Sequence, residues 1–84
     1  MAILFLPFTQ QSKAEGAEKN LSFAAGMSLL GQEKFDESAA FFGNYTVTYP
    51  TDSRGFNNLG FSLFKLGLEN EALQQYLAAL KLDP

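Results

Sequence analysis

At 84 residues the chain has room for one small domain, which would hide only about 60% of its unfolded surface, and its 46% hydrophobic content, with nine Phe and three Tyr, supplies a core and argues against disorder. Six Lys plus Arg against nine Asp plus Glu give a formal net charge of −3 with no basic cluster, which argues against contact with nucleic-acid phosphates. The absence of Cys and His excludes zinc and iron–sulfur ligation, thiol chemistry and any imidazole dyad, so no metal and no cofactor is expected.

The chain opens on an apolar run, Met1 to Phe8, interrupted by Pro7 and followed by the polar stretch from Thr9 to Ala14. Eight residues do not span a bilayer, which takes roughly 20, so no membrane span is expected here. The run reads either as a secretory signal without a cationic start or as a short structural segment. Both a cytoplasmic and an exported protein fit. Gln10 to Gly16 is small and polar, as a linker is.

Four helices follow. The first is expected from about Ala17 to Leu30, with Leu21, Ala25, Ser28 and Leu29 on one face at helical spacing. Gly31 is a natural stop. The second runs from about Lys34 to Tyr49 and opens with Asp36 and Glu37 at its positive end, where the helix dipole favours carboxylates. Its tail, Tyr45 to Tyr49, is β-branched and aromatic and taken alone would read as a strand. Asp52 or Ser53 caps the third helix, which extends to about Leu66 with Phe56, Leu59, Leu63 and Leu66 in one stripe and Gly60 beside it. The fourth runs from about Glu69 to Leu82, turning Ala72, Tyr76, Ala79 and Leu80 inward, until Asp83-Pro84 stops it.

Residue types recur at an interval of 34: Gly26 and Gly60, Ser28 and Ser62, Leu29 and Leu63, Glu37 and Glu71, Phe42 and Tyr76, Pro50 and Pro84. A period of about this length is that of a helix-turn-helix solenoid unit. In physical terms, Gly26 and Gly60 let the paired helix approach, Ser38 and Ala72 do so from the opposite side, and Leu29, Leu63, Phe42 and Tyr76 fill the space between.

On these residues the chain resembles the tetratricopeptide repeat (TPR) family. Phe56-x-x-Leu59-Gly60-x-x-Leu63, Ala72-x-x-x-Tyr76 and Leu82-Asp83-Pro84 follow the family's pattern over residues 53–84. Residues 19–52 form a degenerate first repeat in which Gly26, Phe35, Phe42 and Pro50 agree, while Ser22, Tyr45 and Glu33 stand where the family prefers an aromatic, Ala and Gly. Residues 1–18 lie outside the resemblance. It implies an all-α fold: an α-α superhelix of four helices in two repeats, acting as a protein-interaction or assembly module.

The resemblance further implies a concave groove lined by Asn20, Phe23, Met27 and Leu30 from the first repeat and by Arg54, Asn57, Phe61 and Lys65 from the second. A protein or peptide partner would meet an apolar floor of Phe23, Met27 and Phe61 with polar and cationic contacts around it. The same aromatics also suit a core covered by a further helix, so both readings stand. The variant groove that clamps C-terminal carboxylates is not expected: Asn58 fits it, but Phe23 and Met27 occupy its Lys and Asn positions. Asp36 with Glu37 and Glu69 with Glu71 are carboxylates of helix first turns, and residues one or two apart do not face each other; no enzyme is expected. Two repeats are fewer than the three or so that solenoids usually need, which leaves Leu68, Leu73, Leu77 and Leu80 for self-association into a homo-oligomer. The alternative function is a structural fragment or cap of a longer solenoid.

Overall fold

The computed structural model describes residues 21–84. They form four helices and no strand: α1 (Phe23–Gly31), α2 (Phe35–Thr48), α3 (Ser53–Lys65) and α4 (Glu69–Leu82). Each packs on the next, α1 on α2, α2 on α3 and α3 on α4. The connections are short, as neighbouring antiparallel helices require. The fold is therefore all-α, built from consecutive helix pairs. No helix among the described residues is long and apolar enough to cross a membrane. The apolar run at residues 1–8 and the linker after it lie outside the described residues.

The expected boundaries hold to a residue or two, except at the first helix. It begins at Phe23 rather than near Ala17: Ser22 adopts an extended backbone (φ −86°, ψ 121°) at the cap position, without a side-chain cap hydrogen bond. Residues 17–20 of that expectation lie outside the described part. The aromatic, β-branched tail of α2 is helical through Thr48. Burial overrides local strand preference there, since Phe42 and Tyr45 are almost wholly enclosed and share one helix face at three-residue spacing.

The two glycines of the repeat sit where helices come closest. A Cβ on Gly26 would lie 2.5 Å from Phe42 Cζ and 2.6 Å from Phe41 Cδ1, and one on Gly60 would lie 2.9 Å from Tyr76 Cε1 and 3.2 Å from the Ala72 carbonyl. Ala72 faces the Gly60 crossing from the other side through its carbonyl, whereas Phe41 and Phe42 are what meet Gly26; Ser38 and Ala72 are both buried. At the α2–α3 contact the Ser38 and Ser62 hydroxyls lie 2.7 Å apart and share a hydrogen bond. Phe35 O lies 3.1 Å from the Ser38 hydroxyl and Asn58 O lies 2.9 Å from that of Ser62, so the two protons fill one of these carbonyl bonds and the bond between the hydroxyls. Both polar groups are thus satisfied inside the core, as buried hydroxyls must be.

The turns repeat as faithfully as the helices. After α1 the Glu33 N–H bonds Leu30 O and the Lys34 N–H bonds Leu29 O; after α3 the Gly67 N–H bonds Phe64 O and the Leu68 N–H bonds Leu63 O, all at 2.9 Å. This paired pattern is the Schellman ending, which needs a left-handed residue just past the helix. Gly67 supplies it at φ 85°, and Glu33 is forced into it at φ 60°. A glutamate pays in steric strain for a conformation that glycine adopts freely. Glu33→Gly is expected to stabilise the protein by about 0.5–1 kcal/mol, read as a rise of roughly 2–8 °C in Tm by calorimetry. An unchanged or lower Tm would remove strain at Glu33 as an explanation of the turn.

Candidate functional site

Helices α1 and α3 lie side by side in the stack, and the residues that they turn to the same surface form an open groove of about 500 Å³, lined by Met27, Leu30, Gly31, Asn57, Asn58, Phe61 and Tyr76. No charged side chain is among them. Met27 and Phe61 are 42% and 39% exposed, so both keep surface that a ligand can cover. The Phe61 ring is held edge-on by Phe35 at 6.2 Å between centroids, and Lys65 Nζ sits 5.6 Å above its face. A cation at that distance from an aromatic face is attracted by the ring quadrupole. Asn57 is exposed and lines the groove. Of the residues expected to line a groove, the structure brings together Met27, Leu30, Asn57 and Phe61, and puts Lys65 at the rim.

Phe23 and Arg54 are engaged elsewhere. The half-buried Phe23 ring packs edge-on to Phe42 and Tyr45, 5.8 Å from each, and Arg54 Cζ stands 4.1 Å from its centroid. Asp52 holds that guanidinium through Nη2 donating to Oδ2 at 2.7 Å and Nε donating to Oδ1 at 3.0 Å. The same carboxylate caps α3 by accepting from the Arg54 backbone N–H at 3.1 Å, and it accepts from the Tyr45 hydroxyl at 2.7 Å. Four side chains thus join α1, α2 and the start of α3. The hydrogen bond from Arg54 is the main reason that the Asp52 carboxyl titrates well below the usual carboxylate range. Burial, reinforced by Asp52, pushes the Tyr45 hydroxyl above its ordinary value. Asn20 lies outside the described residues.

Gly31, Asn58 and Tyr76 line the groove without having been expected there, and Tyr76 is the largest of the three. Its recurrence with Phe42 marked it as a filler of space, and its ring does lie against Gly60, but one edge also reaches the groove wall. The ring is partly buried, and burial raises the pKa of its hydroxyl. A signal was present in the chemistry, since Tyr in place of Phe brings a polar tip that tends to seek the surface. The carboxylates Asp36, Glu37, Glu69 and Glu71 lie in the first turns of α2 and α4, and no cluster of three or more metal-ligating side chains occurs among the described residues. Leu68, Leu73, Leu77 and Leu80 are all exposed, by 42–56%.

The class that the geometry defines is an all-α stack of helix pairs with an apolar groove on one surface. Comparison with protein-family models, with curated proteins and with solved structures gives no match.

Proposed function

We propose that the chain is a helical-repeat interaction module of the tetratricopeptide type, which binds a peptide or a segment of a partner protein in the groove between α1 and α3. The observation that carries this reading is the uncharged floor of exposed Met27 and Phe61 with half-buried Leu30, with the Asn57 side chain available to a peptide backbone and Lys65 at its edge. Binding grooves have this composition, with much apolar surface and few well-placed polar groups. Aromatic and Met side chains at such a floor contribute most of the affinity and adapt to different ligands. The repeated turn geometry at Glu33 and Gly67, 34 positions apart, supports the tetratricopeptide assignment, because it continues the spacing through a segment in which the side chains differ.

The test is selection of a displayed peptide library on the full chain, followed by titration of an enriched peptide against Phe61→Ala. We expect peptides with an apolar anchor, a loss of at least about tenfold in affinity for the variant, equal to about 1.4 kcal/mol, and a Tm shift of less than about 3 °C. A large fall in Tm with unchanged affinity would make Phe61 a packing residue and overturn the groove.

A further inference from the structure

The groove beside α1 differs from two other open cavities in its charge. One of about 340 Å³ on α3 and α4 is lined in part by Arg54 and Asp83, and one of about 570 Å³ on α4 by Lys81, whereas the groove of Met27, Leu30 and Phe61 includes no charged side chain. A surface without charge is covered at least cost by a ligand without charge. The chain contains such a ligand: Ile3, Leu4, Phe5, Leu6 and Phe8 are interrupted only by Pro7, and no charged side chain occurs before Lys13.

That run is tethered to the groove's own wall. Thr9 to Asn20, then Leu21 and Ser22, join it to Phe23, the first residue of α1, and α1 is the helix that contributes Met27, Leu30 and Gly31 to the groove. From Thr9 to Asn20 is twelve residues without a large apolar side chain, and a coil of that length has an r.m.s. span of about 20 Å. The nine-residue α1 is only about 13 Å long, so the groove floor is within ordinary reach. A tether of this span holds a ligand at an effective concentration in the millimolar range, far above that of a dilute partner.

We infer that residues 1–8 dock in the groove between α1 and α3, with their aliphatic and aromatic side chains against Met27, Leu30 and Phe61, so that the chain carries its own ligand. A peptide partner then has to displace it. Met27 suits such an occupant, since a thioether makes favourable contacts with aromatic rings, which Phe5 and Phe8 supply. The inference rests on the groove of the peptide reading and takes the apolar run as a structural segment rather than a signal.

The chain has no cysteine, so Ala2→Cys takes a single nitroxide spin label for NMR of the full chain. The expected result is paramagnetic broadening of the Met27, Leu30 and Phe61 amides, with Leu73 and Leu77 on α4 spared, unchanged on dilution. Leu4→Asp with Leu6→Asp keeps the tether but charges the run, and should restore the three groove signals. The same pair of changes should tighten binding of an enriched peptide by at least about tenfold, because the groove is no longer occupied in the free chain. Three results would overturn the inference: groove signals that stay sharp in the labelled chain, broadening that survives the two aspartates and so reports the tether alone, or broadening of an unlabelled, isotope-enriched chain by a labelled one, which makes the contact one between copies. Sharp groove signals with equal peptide binding by both chains would keep the peptide site and strike the docked run. Broadening that the aspartates abolish, in a chain that binds no peptide, would keep the docked run and strike the peptide reading.

Discussion

Gly60→Arg is expected to abolish the cooperative thermal transition. The Cβ alone would press on the Tyr76 ring at 2.9 Å and on the Ala72 carbonyl at 3.2 Å. A ring edge can swing aside, but a helix carbonyl moves only with its helix. The remaining atoms of arginine would carry a charge into the α3–α4 crossing, where the buried Ala72 and Ala79 offer it no counter-ion. A buried unpaired charge costs several kcal/mol, and a domain of this size has only roughly 4–12 kcal/mol of stability to lose. Calorimetry and circular dichroism melting check it, with Gly60→Ala as the control that keeps a transition at lower Tm. A full-height melting curve for Gly60→Arg would mean that the two helices do not cross closely at this glycine.

Phe42→Ala is the second severe change, with an expected cost of about 3–5 kcal/mol. Phe42 is fully buried, and its ring meets those of Phe23, Phe41 and Tyr45 at 5.8, 5.3 and 6.0 Å between centroids. Removing it empties the centre of an aromatic cluster that unites α1 with α2. The cluster cannot collapse easily into the gap, because Tyr45 is tied through its hydroxyl to Asp52, and that tie holds the cavity open. Urea titration should give a lower midpoint with an unchanged slope if the molecule still unfolds as one unit. A cost below about 1 kcal/mol, typical of a surface position, would show that the cluster repacks and that Phe42 is not its centre.

The extent to which the sequence revealed this structure depended on whether one side chain or two decided the outcome. Helix limits followed from local signals: Asp52 caps α3 with its own carboxylate, and Glu69 to Leu82 is bounded as expected. The close crossings at Gly26 and Gly60 were legible because a glycine recurring in a helix interior has a packing reason more often than a conformational one. The site was legible only in part. Met27, Asn57 and Phe61 do meet in one groove, but Phe23 and Arg54 are bound up with Tyr45 and Asp52, and that arrangement depends on pairing residues that stand up to 31 positions apart (23 to 54). Helical spacing places a residue on a face; it does not say whether a carboxylate two positions earlier will claim the arginine first. Tyr45, where the sequence resemblance would place Ala, has its own explanation in Gly55, which leaves the room that the larger ring needs.

The hydroxyl pair at Ser38 and Ser62 has a consequence for which alignments of α3 on α2 are permitted. Were α3 to slide by one turn along its neighbour, both hydroxyls would remain enclosed but lose each other, and apolar packing alone would scarcely resist the slide. A paired polar contact in a core resists it, since the displaced state leaves groups without partners. The corresponding position on α4 is Ala72, which has no hydroxyl to offer. Ala72 is itself enclosed, so the alignment of α4 on α3 is set by the fit of Gly60 against the Tyr76 ring and the Ala72 carbonyl.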